Sequence, residues 1–105
     1  MESIIELRHL KTLLALEETG SVSLAAQRVF LTQSALSHQI RTLENYYETP
    51  LFERKSNPLR FTPAGARLLK LARELMPKVA AAERDMAQII EGEAGELRLA
   101  VECHT

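Results

Sequence analysis

The feature that most constrains the fold of this chain is a segment from Ser21 to Ile40, which reads SVSLAAQRVFLTQSALSHQI. It contains a short helical segment, a tight turn at Phe30-Leu31, and a second segment that is apolar on one side and hydrogen-bonding on the other. The small residues Ala25 and Ala26 let two helices approach closely beside the turn. This layout is typical of a helix-turn-helix, whose second helix lies in the DNA major groove.

The second helix of this motif is predicted to begin after Thr32, which suits an N-cap, and to run to about Tyr47. Its apolar side chains recur at spacings of four, three and four residues and form one stripe: Leu36, Ile40, Leu43 and Tyr47. The opposite side carries polar residues that can face DNA: Gln33, Ser34, Ser37, His38 and Arg41. Glu48-Thr49-Pro50 ends the helix.

Two helices are predicted before this one. The first covers Leu7–Glu18 and stops at Thr19-Gly20, because glycine accepts the left-handed conformation of a helix end. Ser21 or Ser23 can cap the second, whose candidates for the buried face are Leu24, Ala26 and Val29.

A small β-hairpin is predicted after the third helix. Leu51–Arg54 and Leu59–Phe61 flank a turn sequence, Lys55-Ser56-Asn57-Pro58. Thr62-Pro63 then caps and starts a long helix, since proline lacks only an N–H that the first helical position does not need. The predicted fold is therefore mainly α, a winged helix-turn-helix with a three-helix core and a hairpin wing, followed by a long helix.

The long helix is predicted to run from Pro63 to about Glu91 and to dimerise. Its apolar residues alternate spacings of four and three in a heptad pattern: Leu68, Ala72, Leu75, Val79, Ala82, Met86 and Ile89. The alternative is a helix packed back on its own domain. Pro77 predicts a kink, or a junction of two helices. Glu91–Glu96 is interpreted as a linker and Leu97–Val101 as a first strand, which gives domains at residues 1–62, 63–91 and 92–105.

Charge is distributed unevenly along the chain. The net charge is −1, but residues 28–73 carry +5 between flanks of −2 and −4. Because attraction to phosphate is local, the central block favours a nucleic-acid partner. There is no long apolar run or basic leader, and Cys103 is the one cysteine, so we expect a cytoplasmic, non-membrane protein. Cys103-His104 supplies two ligands where structural zinc needs four, and we expect neither a metal nor a cofactor.

The segments GSVSLAAQRVFLTQSALSHQIRTLE and PLFERKSNPLRFTPAG resemble the LysR-type family of bacterial transcriptional regulators over roughly residues 7–92. The resemblance implies a winged helix-turn-helix, a dimerising linker helix and a C-terminal effector-binding domain, of which this chain would carry the first two. It also implies double-stranded DNA with an interrupted palindrome as the partner, a homodimer here, and a tetramer in the full-length regulator.

Within the family, the chain resembles regulators of methionine biosynthesis genes that sense homocysteine, with the effector bound outside this fragment. Ser34 stands where many members have proline, and His38 stands where many have arginine. The KSNPLRFTP segment and the terminal AVECHT point the same way.

The candidate DNA-binding residues differ in chemistry. Gln33 can bond adenine through two hydrogen bonds, and Ser34 and Ser37 can bond bases or phosphates. His38 predicts binding that changes between about pH 6 and 7. On the wing, Arg54, Lys55 and Arg60 are expected to meet the DNA backbone or the minor groove, and Arg41 is expected to clamp a phosphate. Ser23 and Thr32 complete the set of candidates.

Two other classes of function compete with this one. An enzyme is disfavoured because there is no glycine-rich phosphate loop, and no buried carboxylate is spaced to orient His38 beside Ser34 and Ser37. A winged-helix protein-interaction module that dimerises without reading DNA remains the alternative, although its exposed face would be apolar rather than polar and basic.

Overall fold

A computed structural model of the chain describes residues 3–53 and 56–96. Within these residues lie four helices: α1 (Leu7–Thr19), α2 (Val22–Arg28), α3 (Gln33–Tyr47) and α4 (Pro63–Glu96). The first three confirm the predicted helices. Three predictions lie outside the described residues: the wing cations Arg54 and Lys55, the strand at Leu97–Val101, and the Cys103-His104 pair.

The predicted helix boundaries arise from local capping. Gly20 has a φ of 65° and closes α1, with its N–H bonded to the Leu16 carbonyl at 2.8 Å. The Ser21 hydroxyl accepts a hydrogen bond from the Leu24 N–H at 3.2 Å, so Ser21 rather than Ser23 caps α2. The Thr32 hydroxyl accepts from the Ala35 N–H at 3.1 Å and caps α3, as predicted.

The core is built around α1, which packs against the other three helices. Its buried leucines are Leu10, Leu13 and Leu16, and α3 contributes the predicted stripe Leu36, Ile40 and Leu43. The prediction for Leu24 is wrong, since its side chain is 52% exposed. The seven-residue α2 instead presents Ala25 and Ala26 to the core, and their small side chains let it lie close to α1 and α3.

The wing is reduced to a single antiparallel bridge between Phe52 and Phe61 in the described residues, rather than the predicted hairpin with two strands. The Glu53 N–H donates to the Arg60 carbonyl at 3.0 Å, and the two phenyl rings lie 4.6 Å apart. Among the described residues, the two groups that would complete the pairing beside this bridge bond elsewhere. The Leu51 N–H donates to a side chain of α3, and the Arg60 N–H donates to the Ser56 hydroxyl.

Helix α4 is longer than the predicted one. It continues through Pro77 without becoming two helices, and residues 91–96, predicted to be a linker, are helical. The predicted boundary at residue 92 is therefore wrong as the end of the helix. No helix in the described part of the chain is long and apolar enough to cross a membrane.

The heptad stripe of α4 divides into two parts. Ala72 is fully buried in the chain's own core, and Leu68 and Leu75 pack against that core. The first part thus follows the alternative of a helix packed on its own domain, and Ala72 has no surface left for a dimer contact. In the second part Met86 is 54% and Ile89 52% exposed, while Val79 is partly exposed and Ala82 exposed.

Candidate nucleic-acid interface

The polar face of α3 is the centre of the candidate interface. Gln33, the first residue of the helix, and Ser34 are exposed, and they share a shallow groove with Ser37 and Arg41. The fold thus brings together four of the predicted DNA-binding residues on one continuous surface. Gln33, Ser34 and Arg41 are exposed and Ser37 is partly exposed, so these side chains can bond base edges or phosphates.

His38 and Ser23 do not line this groove, although His38 is four residues after Ser34 and therefore lies beside it on the surface of α3. Both are exposed, and neither lines the surface that Gln33 and Arg41 share. Thr32 is exposed as well, but its hydroxyl is engaged by the Ala35 N–H and lies 3.4 Å from the Ser34 hydroxyl. The geometry therefore gives Thr32 a capping position beside Ser34.

The orientation of α3 is fixed from its buried side. Leu36 and Leu43 are almost completely buried. The Thr12 hydroxyl of α1, itself 1% exposed, donates to the Gln39 side-chain oxygen at 2.7 Å and ties the two helices together. Because the apolar stripe of α3 packs against α1, the polar face of α3 points outward.

The wing lies beside the far end of α3. Arg60 is exposed, and its N–H donates to the Ser56 hydroxyl at 3.0 Å, which in turn donates to the Glu53 carbonyl at 3.2 Å. A groove of about 310 Å³ separates this segment from α3, with Ser37 and Arg41 on its helical side and Phe52 on its wing side. Wing residues Phe52, Glu53 and Leu59 and the polar face of α3 thus border one groove, and Arg60 follows Leu59 directly in the chain without lining it.

Sequence reasoning missed three residues that hold this surface in place: Thr12, Glu44 and Gly65. Glu44 comes seven residues after Ser37 and three after Arg41, which places it on their face of the helix and could have drawn attention to it. Its Oε2 accepts the Leu51 N–H at 2.7 Å. At Gly65, an added Cβ would lie 2.1 Å from the Leu51 carbonyl oxygen, a proximity that no sequence pattern announces.

His9 lies outside the interface and is structural. It is 4% exposed, and its Nδ1 accepts the Glu6 N–H at 2.9 Å in a reciprocal capping box. Burial lowers the pKa of His9 below 6.5, with Glu6 opposing the shift and Arg8 adding to it. This agrees with the core-edge role that its position in the first helix indicates.

Comparison with known proteins supports the interpretation of this surface. A sequence model for "Bacterial regulatory helix-turn-helix protein, lysR family" matches residues 7–66. The HTH-type transcriptional regulator MetR of Haemophilus influenzae is 70% identical over 103 residues, which are 98% of this chain and 33% of that protein. The chain therefore spans about a third of the length of this curated relative.

Two solved structures with DNA are similar to the chain. The BenM_DBD/catB site 1 DNA complex matches with a TM-score of 0.75 and 34% identity, over 85% of this chain and 96% of the other. Vibrio fischeri DarR in complex with DNA matches with a TM-score of 0.73 and 30% identity, over 85% of this chain and 30% of the other.

Proposed function

This chain belongs to the lysR family of bacterial regulatory helix-turn-helix proteins, and from that membership we propose that it is the DNA-binding part of a transcriptional regulator. The observation that carries the proposal is the outward polar face of α3, where Gln33, Ser34, Ser37 and Arg41 share one groove. Similar chains have been solved in complex with DNA.

We propose further that the full-length regulator controls methionine biosynthesis genes and responds to homocysteine. The support is the 70% identity to the Haemophilus influenzae regulator MetR over nearly all of this chain. The effector would bind in a part of the protein beyond this chain, since the chain corresponds to a third of that relative.

In the proposed complex, α3 enters the major groove. Gln33 reads adenine through N6 and N7, while Ser34 and Ser37 bond bases or phosphates. Arg41, Arg60 and the wing residues Arg54 and Lys55 supply attraction to phosphate, and His38 adds a hydrogen-bonding contact. The backbone contacts set affinity, whereas Gln33 sets the sequence choice.

The proposed partner is an interrupted palindrome bound by a homodimer. The second part of the α4 stripe supplies the dimer contact, because Val79, Ala82, Met86 and Ile89 are left open to varying degrees by the chain's own fold. Two copies would then engage half-sites about one helical turn apart, or a multiple of it.

Gln33→Ala tests the reading role of α3. Fluorescence anisotropy of duplexes carrying an interrupted palindrome, with each base pair varied in turn, is expected to show a loss of about 1–3 kcal/mol on the preferred site. Discrimination should relax at one position. Gln88→Ala makes the same change at an exposed position of α4 and should leave every affinity unchanged.

Two results would contradict the proposal in different ways. If Gln33→Ala weakens no duplex selectively, α3 is not the reading helix. If the unaltered chain binds no duplex better than a scrambled one, the proposed function is wrong and the protein-interaction module is favoured.

Lowering the salt concentration should tighten binding to every duplex, since phosphate contacts release counterions.

A further inference from the structure

A side chain of α3 holds the start of the wing in place. Leu51 is 1% exposed, so its backbone N–H is removed from water and needs a protein acceptor. That acceptor is Oε2 of Glu44, at 2.7 Å. The contact joins the last turns of α3 to the first residue after Pro50.

The backbone carbonyl of Glu44 closes α3 at the same place. It accepts the N–H of Glu48, the C-cap residue at a φ of 53°, and the N–H of Thr49 at 3.1 Å. One residue thus ends the helix through its carbonyl and anchors the following segment through its carboxylate.

Thr62, the residue before α4, and the first turn of α4 hold Leu51 from the other side. The Thr62 N–H donates to the Leu51 carbonyl at 3.0 Å, and the Thr62 hydroxyl donates to the Pro50 carbonyl at 2.7 Å. Gly65 lies so close that a Cβ would meet the same Leu51 oxygen at 2.1 Å. We name this arrangement of Glu44, Leu51, Thr62 and Gly65 the Leu51 clamp.

We propose that Glu44 is a positioning residue for DNA recognition, which sets the wing against the reading face of α3 through the Leu51 clamp. Phe52, the next residue, pairs with Phe61, and the adjacent Glu53 N–H bonds the Arg60 carbonyl. A displacement of Leu51 is therefore passed on to Arg60. The inference rests on the proposed function and deepens it by assigning the geometry of the wing to one side chain.

A direct contact between Glu44 and DNA is the competing explanation. A carboxylate repels phosphate, so removing its charge would strengthen binding to every duplex. Positioning instead depends on the reach of the acceptor and not on its charge. The two explanations therefore predict opposite rankings for variants that change charge and reach separately.

Glu44→Gln and Glu44→Asp separate charge from reach. Gln keeps the length and an acceptor oxygen but loses the charge, whereas Asp keeps the charge and withdraws the oxygen by about 1.5 Å. Hydrogen exchange at the Leu51 amide is expected to stay slow in Glu44→Gln and to become about ten-fold faster in Glu44→Asp. Equal exchange in the two variants would overturn the clamp.

The DNA measurement uses a double-mutant cycle with Arg60→Ala. In the unaltered chain and in Glu44→Gln, Arg60→Ala is expected to weaken binding several-fold. In Glu44→Asp most of that loss should already have occurred, so that the two substitutions deviate from additivity by a factor of about three or more. Glu48→Asn removes a charge from the same helix end at an αL position that asparagine tolerates, and it should show additivity.

The outcomes distinguish this inference from the function it rests on. Additive effects of Glu44→Asp and Arg60→Ala, an inert Arg60→Ala, or tighter binding by Glu44→Gln alone would each overturn the positioning role while leaving specific DNA binding intact. Failure of the unaltered chain to prefer any duplex would instead remove the proposed function, and Leu51 exchange would still report on the clamp.

Discussion

At the scale of single residues, His9 makes the stability of the fold at the start of α1 depend on pH. Its Nδ1 accepts the Glu6 N–H, a bond that the protonated ring cannot accept, and burial lowers its pKa below 6.5. Because the folded-state pKa is depressed, the unfolded chain binds the proton more readily. The stabilisation is therefore complete above about pH 6.5 and is lost as pH falls through the lower folded-state pKa.

His9→Gln tests this pH dependence. Glutamine at this position of a capping box can accept the same N–H but does not titrate. Urea unfolding midpoints measured from pH 7.5 down to 5 are expected to fall for the unaltered chain and to stay flatter for His9→Gln. Parallel pH profiles for the two proteins would show that His9 contributes nothing to acid destabilisation.

Individual residues also differ in how well the sequence alone predicts their roles. Thr32 and Gly20 were predictable because a cap depends on a few neighbouring atoms, and both occupy the expected places. Leu24 was not, because a seven-residue helix has too few turns for its periodicity to define a buried face. Glu44 was missed because its partner, the Leu51 N–H, is identified only by the path of the chain after Pro50.

At the scale of secondary-structure elements, two glycines of α4 sit in opposite surroundings. Gly65 lies against the Leu51 carbonyl and the Phe61 ring, whereas an added Cβ at Gly92 would meet nothing within 4 Å. The same substitution should therefore have opposite effects at the two ends of one helix.

Gly65→Ala is expected to destabilise the fold by about 3 kcal/mol, because the clash is with backbone and cannot be relieved by a rotamer change. Gly92→Ala should stabilise α4 by about 0.5–1 kcal/mol through the higher helix propensity of alanine. Thermal and urea unfolding of both variants checks this. A Gly65→Ala protein as stable as the original would contradict the close approach at Leu51.

The existence of α4 was predictable from its heptad spacing, but its end was not. The EGEAGE segment contains two glycines, which favour a loop on propensity alone, yet the helix continues to Glu96. Propensity is a weak determinant where charged and alanine residues surround the glycines.

The wing was predictable as a turn between two apolar stretches. The side chains that take its backbone N–H groups away from strand pairing, Glu44 and Ser56, were not predictable.

At the scale of the whole molecule, the unfilled part of the α4 stripe predicts self-association. Met86 and Ile89 are more than half exposed, although they belong to the same heptad stripe as Ala72, which is buried in the core. Isolated exposed side chains of this size are ordinary, but a row at heptad spacing is typical of a helix that packs on another helix.

Met86→Glu places a charge in that row. Sedimentation equilibrium is expected to show an increase of about ten-fold or more in the dimer dissociation constant, because an unpaired carboxylate would be buried on association. Gln88→Glu adds the same charge at another exposed position and should leave the constant nearly unchanged. Identical behaviour of the two variants would place the dimer contact elsewhere.

The tight contact at Gly65 has a mechanical consequence for so long a helix. At about 1.5 Å per residue, the 34 residues of α4 extend for about 51 Å. A tilt of about 10° at the base would swing the far end of such a lever arm by about 9 Å, more than two base-pair steps of 3.4 Å. In the proposed dimer, a helix base that leaves no room for even one methyl group would therefore fix where a second subunit, held at the far end, meets the duplex.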